Sequence, residues 1–363
     1  MPNIALYRKY RPSGFDEVIG QEHVVQTIQN AVADGAIAHA YLFAGPRGTG
    51  KTTIARLVAK AANCLHPVKG APCGKCQNCI DISEGRAMDI VEIDAASNRG
   101  IDEIRELKEA IRSTPLALKY KVYIIDEAHQ LTKEAFNALL KTLEEPPAHA
   151  LFILATTSAD KMPATILSRV QRFDFKKFSL EQIVQKLTAI IKAEKAKADN
   201  EALRLIAHAA QGGLRDAESM LAQVLAHSQG VVTEKAVHSV LGIAGLQQVC
   251  DVVDALAKQD AKEAIVRLNT FKNEGGNIEE LFASLIDYLR KMMLLKVDPK
   301  LSDVIMPELT KEQLSRMMAQ SEKFKQEDLA RMLETFIEAE DAMRKTSIRI
   351  LPIELALLKL FAK

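Results

Sequence analysis

Gly45-Pro-Arg-Gly-Thr-Gly-Lys51-Thr52 decides the fold. The stretch fits the pattern G-x-x-x-x-G-K-[ST] without a mismatch, between an apolar run (Ala40–Ala44) and an amphipathic stretch (Thr52–Ala62). In that strand-to-helix context the pattern is a phosphate-binding loop. Glycines permit the tight curl that turns successive backbone N–H groups toward one anion, and the helix N-terminus adds partial positive charge. Gly45, Pro46, Arg47, Gly48, Thr49, Gly50, Lys51, Thr52 and Thr53 are therefore the expected phosphate cradle. Lys51 would reach the β- and γ-phosphates, and Thr52 would ligate Mg2+.

Lys121-Val-Tyr-Ile-Ile-Asp126-Glu127-Ala-His129 supplies the complementary half. An apolar strand ending in two carboxylates places Asp126 beside the Mg2+ and Glu127 where it can polarise a water. The letters Asp-Glu-Ala-His also spell a helicase signature, so a DNA-translocating motor has to be weighed.

Working outward, short β-branched runs alternate with helical stretches over the first ~175 residues. Ala40–Ala44, Asp89–Asp94, Val122–Asp126, Leu151–Ala155 and Val170–Phe175 read as buried strands. Thr52–Ala62, Ile101–Arg112 and Lys133–Glu144 read as helices between them. That alternation predicts an α/β domain around a five-stranded parallel sheet. After Ser179 the strands largely disappear, and Leu180–Lys195, Glu201–Gln211 and Leu214–Ala226 read as helices. A second shift falls at Leu241-Gly-Ile-Ala-Gly245, beyond which five or so helices are expected, with Leu281, Leu285, Tyr288, Leu289 and Met292 forming one buried stripe. The expected domains are 1–178, 179–242 and 243–363.

Composition sets the outer limits. Of 363 residues 48% are apolar, enough for packed cores, and 48 Lys plus Arg against 47 Asp plus Glu leave a net charge of +1. A strongly basic or acidic protein is thereby excluded, so any nucleic-acid contact must be a local patch. No apolar run of membrane-spanning length occurs, and the opening Met-Pro-Asn-Ile carries no secretory signature, so a cytoplasmic location without membrane association is expected. In that setting Cys64, Cys73, Cys76 and Cys79, spaced C-x8-C-x2-C-x2-C, are metal ligands rather than disulfides. Four thiolates suit a closed, tetrahedral, structural Zn2+ site, with iron–sulfur ligation as the rival and His66 as a substitute ligand. The module at 63–80 would interrupt the α/β domain. Cys250, alone on an apolar helical pattern, reads as a core thiol.

Taken together, these motifs resemble the AAA+ ATPases and, among them, the gamma/tau family of DNA polymerase III clamp-loader subunits. The resemblance also rests on Leu6-Tyr-Arg-Lys-Tyr-Arg-Pro12, Phe15-Asp-Glu-Val-Ile-Gly-Gln-Glu-His23 and Glu92-Ile-Asp-Ala-Ala-Ser-Asn98. Phe136-Asn-Ala-Leu-Leu-Lys-Thr-Leu-Glu-Glu-Pro-Pro147 and Ile166-Leu-Ser-Arg169 extend it. It covers essentially the whole chain, more specifically before residue ~240 than in the helical tail. It implies an α/β P-loop AAA+ domain with a zinc-module insertion, a helical lid and an all-α collar. Arg11 and Pro12 would lie near adenine, and Thr157 would be the sensor at a strand end. Arg215 would be the lid arginine, and Arg169 the arginine finger acting in trans on a neighbour's site. The family usually reads Ser-Arg-Cys where this chain has Ser168-Arg169-Val170, a change at a packing position.

The implied function is an ATP-hydrolysing clamp-loader subunit. Its partners would be other loader subunits, further copies of itself, the sliding clamp, and primed DNA held by its backbone. DNA polymerase III core and helicase would join them if a C-terminal extension exists. Asn98-Arg99-Gly100, Arg105 and Lys141 are the candidate backbone contacts. The rival readings are an AAA+ DNA motor or helicase, and a scaffold that binds ATP without hydrolysing it.

Overall fold

Five strands form one parallel sheet: β1 (Ala40–Ala44), β2 (Ile90–Asp94), β3 (Lys121–Asp126), β4 (Ala150–Thr156) and β5 (Gln171–Asp174). Their order is β2-β3-β4-β1-β5, every neighbouring pair parallel. The edge strands β2 and β5 are not the buried strands expected, since Phe173 is their one buried residue. β1 and β4, central in the sheet, are buried along their whole length. That two-faced burial explains why they read as continuous apolar runs rather than alternating ones. The observed strands match the expected ones to within a residue or so at each end, the ordinary latitude of strand and helix boundaries. The structure, a computed structural model, describes residues 5–97, 111, 113–228, 230–241, 246–301 and 311–361. The expected helix Ile101–Arg112 lies outside the described residues apart from a buried Ile111.

Successive side chains of a strand point to opposite faces. Tyr41 and Phe43 of β1 therefore join Ile54, Val58, Ile124 and Ile153 on the face covered by the phosphate-loop helix Lys51–Ala62. Ala40 and Leu42 join Tyr123, Phe152, Phe136 and Leu139 on the other face, under helix Lys133–Glu144. Because β4 lies between β1 and β3, the residue after it, Thr157, emerges between the phosphate loop and the acids that end β3. The crevice beyond the carboxyl ends of parallel strands is where such sheets bind ligands.

The helices Leu180–Ala193, Asn200–Ala209 and Leu214–His227 follow β5, the first opened by a capping box between Ser179 and Gln182. Strands persist here as one parallel pair of two-residue segments, β6 (Lys197–Ala198) and β7 (Val231–Val232). The chain divides into two compact units, Met1–Val232 and Thr233–Lys363. Among its described residues the second unit is entirely helical: Glu234–Leu241 is followed by six α-helices, one more than the five or so expected. The predicted stripe lies buried on the longest of them, Ile278–Val297. Cys250 is a buried thiol donating to Tyr288 Oη at 3.4 Å, and Tyr288 in turn donates to Gln320 Oε1 at 2.6 Å. The expected boundary Gly242–Gly245 lies outside the described residues. Among the described residues no single helix is long and apolar enough to cross a membrane.

Phe152 is fully buried and stacks on Tyr123 with ring centroids 5.4 Å apart. Replacing a buried aromatic by alanine removes its transfer energy and leaves a cavity. Phe152→Ala is expected to lower the unfolding free energy of the first unit by about 3–5 kcal/mol, read as a shift of the denaturant midpoint at unchanged slope.

Candidate functional site

At the carboxyl end of the sheet a cleft of about 430 Å³ is lined by Arg47–Thr53, Asp126, Glu127, Arg11, Pro12 and Arg215, together with several residues of the lid. The phosphate loop curls above β1, and the Lys51 side chain folds back beneath it. Its Nζ donates to the carbonyls of Gly45 and Pro46, each at 2.7 Å. Lys51 is only 6% exposed. Burial lowers its pKa, while the charges of Glu127 and Asp126 pull it back up. Thr49 is also buried, its hydroxyl tied to Pro46 O at 2.8 Å. Gly45 and Pro46 thus support the loop from below, and Arg47 to Thr53 form the wall of the cleft.

Thr52 Oγ1 donates to Asp126 Oδ2 at 2.7 Å, bringing two oxygens from distant parts of the chain to one point. A hydroxyl and a carboxylate together are oxygen donors of the kind Mg2+ takes beside substrate phosphates. Glu127 has left-handed backbone angles (φ 48°, ψ 42°), an uncommon state that turns its side chain off the strand direction. Its Oε2 accepts from Thr157 Oγ1 at 2.9 Å and lies 3.4 Å from His129 Nδ1. The same His129 nitrogen is 2.9 Å from Thr156 Oγ1. Thr157 therefore spends its single hydroxyl proton on Glu127 here.

The lid closes the cleft from the side. Leu214, first residue of the helix Leu214–His227, donates its N–H to Gly48 O at 3.1 Å. A Cβ on Gly48, whose φ is +77°, would stand 3.1 Å from Gly213 Cα, so the close approach favours glycine at position 48. Arg215, one residue on, lines the cleft and packs its guanidinium 4.7 Å from the Tyr7 ring centroid. Arg169 is not in the cleft. It lies half-exposed, donating to Thr165 O at 2.7 Å, Ser168 Oγ at 2.9 Å and Glu144 Oε1 at 2.7 Å. Arg99 and Arg105 lie outside the described residues, and Lys141 is exposed.

Cys64, Cys73, Cys76 and Cys79 converge, all four Sγ atoms within 4.8 Å of one another. The Cys64–Cys76 and Cys73–Cys79 sulfurs are 4.0 Å apart. A tetrahedron with Zn–S bonds of about 2.3 Å has edges of about 3.8 Å, so the donor set fits that ion. The backbone N–H groups of Lys75 and Cys76 hold the Cys73 thiol down to about 6, and Gly74 makes the turn with φ 70°. His66 is exposed and outside the sulfur group. Behind the cluster, Asn63 is buried and joins three parts of the fold. Its Nδ2 donates to Ala59 O and Tyr120 O, both at 3.1 Å, and its Oδ1 accepts from Tyr120 N at 2.7 Å. Its own carbonyl accepts from Asn78 Nδ2 at 2.8 Å.

Sequence reasoning passed over His129 and Glu218. Glu218 is 6% exposed and lines the cleft one turn beyond Leu214. The visible signal was a carboxylate on a face otherwise formed by Ala217, Leu221 and Val224. Burial pushes its carboxyl up to about 7, opposed by the Lys186 ammonium. A carboxyl whose pKa rises on folding stabilises the fold below its ordinary value near 4.5 and loses that contribution as pH climbs through about 7. Relative to Glu218→Gln, the wild-type chain is therefore expected to lose on the order of 2–3 kcal/mol between pH 4.5 and pH 8. Melting both proteins across that range measures the difference, and a pH-independent gap contradicts the burial argument.

Comparison with known proteins agrees with this geometry. Residues 20–179 match the family described as DNA polymerase III, delta subunit. Residues 182–230 match the clamp loader subunit ATPase lid domain of DNA polymerase III, and residues 232–363 match domain III of its subunits gamma and tau. DNA polymerase III subunit tau of Bacillus subtilis is 40% identical over 356 residues, covering 98% of this chain and 63% of that protein. Subunit tau of Escherichia coli is 41% identical over 313 residues, which cover 86% of this chain and 49% of that protein, so the chain spans about half to two thirds of these longer relatives. Subunit gamma of Buchnera aphidicola subsp. Acyrthosiphon pisum is 38% identical over 318 residues, 88% of each chain. Among solved structures, the RuvB Holliday junction branch migration motor of Thermotoga maritima superposes with a TM-score of 0.50 at 20% identity. That match covers 74% of this chain and 87% of the motor, and it carries the AAA+ fold alone. With identity near 40% running through the α/β domain, the lid and the helical tail, the chain belongs to the gamma/tau family of DNA polymerase III subunits.

Proposed function

We propose that this chain is the ATP-hydrolysing subunit of a sliding-clamp loader. The observation that carries the reading is the separation of two half-sites. Lys51, Thr52, Asp126, Glu127, Thr157 and Arg215 gather at one cleft, while Arg169 stands outside it on the surface. A cleft that holds triphosphate but lacks its arginine is completed by a neighbouring subunit, so hydrolysis depends on assembly.

The roles follow from the chemistry of each group. The N–H groups of Arg47 to Thr53 and the Lys51 ammonium bind the β- and γ-phosphates. Thr52 and Asp126 would hold Mg2+, which supplies positive charge to the phosphate oxygens when bound. Glu127 orients and deprotonates the attacking water, and Arg169 of the adjacent subunit stabilises the charge that develops on the transferred phosphoryl group. Thr157 donates either to Glu127 or to a γ-phosphate oxygen, and Arg215 couples the lid to that phosphate. Arg11 and Pro12 border the base. The four cysteines would hold one Zn2+ as a structural ion, with no open position for water. ATP binding would order subunits around the clamp and primed DNA, gripped by its phosphates, and hydrolysis would release them. Further copies of this chain, other loader subunits, and polymerase core and helicase bound through a longer C-terminal region complete the assembly. The helicase alternative requires a second ATPase-like domain, and the described part of the second unit is helical throughout.

Glu127→Gln is expected to keep ATP affinity while lowering turnover by about 10²–10⁴, the usual worth of a general base. Purified clamp and primed DNA read this directly, and repeated loading at the wild-type rate sinks the assignment. Arg169→Ala, mixed with wild-type subunits, is expected to slow hydrolysis at the neighbour's site by at least 10³. Undiminished hydrolysis there refutes action in trans.

The metal reading predicts one zinc per chain by elemental analysis, lost in Cys79→Ser with a lower melting temperature. Iron in its place, or a wild-type chain purified under reducing conditions without stoichiometric metal, overturns it.

A further inference from the structure

The lid helix touches the phosphate loop only at its start, where Leu214 N–H meets Gly48 O at 3.1 Å. The helix continues from there to His227. Glu218 lies four residues after Leu214, about 6 Å along the axis and on the same face, and both residues line the cleft. This end differs in character from the phosphate end. Pro12, Val18, Ile19, Phe178 and Leu214 offer apolar walls suited to a flat ring. Glu218 is the carboxylate on the lid side of those walls.

As a residue Glu218 is more than nine-tenths buried, its carboxyl oxygens are not sealed in the interior, and among the described residues they have no hydrogen bond or ion pair. The charge opposing its burial, Lys186, spends a proton on Tyr10 O at 3.0 Å instead. A carboxyl that has lost most of its surrounding water without gaining a protein partner is costly, and a ligand donor in the cleft it lines would offset that cost. Burial favours the neutral form of this carboxyl, whereas the ionised form only accepts hydrogen bonds, so a ligand donor is the partner that would stabilise the ionised form in the cleft. Adenine, the base assigned by the ATP reading on which this step rests, has one strong donor group, its exocyclic amine.

We propose that Glu218 reads the nucleotide base, accepting a hydrogen bond from the 6-amino group of adenine and making the cleft selective for 6-aminopurine triphosphates. The apolar walls bind any purine by area. Glu218 adds the discrimination, because a 6-oxo group would set an acceptor against it and a bare C6–H would leave it unpaired.

The test is equilibrium binding by the full chain of ATP, purine riboside 5′-triphosphate (no 6-substituent) and GTP, in wild type, Glu218→Leu and Glu218→Gln. Wild type is expected to bind ATP roughly 10- to 100-fold more tightly than the purine riboside triphosphate, the worth of a hydrogen bond to a charged group. Glu218→Leu should bring that ratio close to one, and it should melt no lower than wild type without nucleotide. Glu218→Gln keeps an acceptor without the charge, so its ratio should fall several-fold, which decides the matter if the leucine variant folds poorly. A wild-type ratio retained in either variant overturns the proposal. So does a wild-type preference for GTP, whose 1-NH and 2-amino donors would then be the partners. If wild type binds all three triphosphates equally, the base assignment alone fails; if it binds none, the nucleotide reading fails as well.

Discussion

A nearly buried ammonium organises this molecule. Burial pulls the pKa of Lys51 down, the charges of Glu127 and Asp126 oppose that pull, and two loop carbonyls accept hydrogen bonds from its Nζ. Each of those partners imposes a condition on a different part of the chain. The loop must curl with its carbonyls inward, which needs the strand-to-helix turn of Gly45–Lys51. β3 must end in acids at the level where β1 ends, which needs the parallel register of the sheet. The lid must approach the loop backbone to backbone, which is why Gly48 meets Gly213. Phosphate binding, acid placement and lid docking are in this sense consequences of keeping one charge in place.

The carboxylates themselves are held by a short polar chain. Thr157 and His129 tie Glu127 to the end of β4, and Asp126 is tied to Thr52 at the start of the phosphate-loop helix. Hydrogen bonds of this kind in a low-dielectric cleft fix orientation more than they add stability. The arginine outside the cleft is managed differently. Its pairing with Glu144 is exposed, and such pairs are worth about 0–1 kcal/mol, so Arg169 is positioned without being committed to its own chain.

Much of this was legible in the sequence where one residue type is forced by geometry. The phosphate loop, the acids ending β3 and the four cysteines declare themselves because few other residues can curl on an anion, face a cation or gather around a soft ion. Helix Lys133–Glu144 was readable from its period, and the structure adds the cap at Thr132. What stayed hidden depends on contacts between distant segments. The left-handed backbone of Glu127 has no local marker, and nothing in Ser168-Arg169 announces its partner Glu144. Glu218 was concealed by helical amphipathicity, which explains a charge on a helix as solvated unless the face it shares is known to be buried.

Asn63 gives the cysteine cluster a mechanical meaning. One side chain and its backbone splice the last turn of the phosphate-loop helix, the cysteine-bearing segment and Tyr120, the residue that leads into β3. The loop of thiols is therefore not a pendant but part of a load path that ends, six residues along β3, at the acids. Distortion there would leave the anion cradle standing while the carboxylates drift out of alignment. Damage to the thiols would register first at Asp126 and Glu127, far along the chain from where it was done.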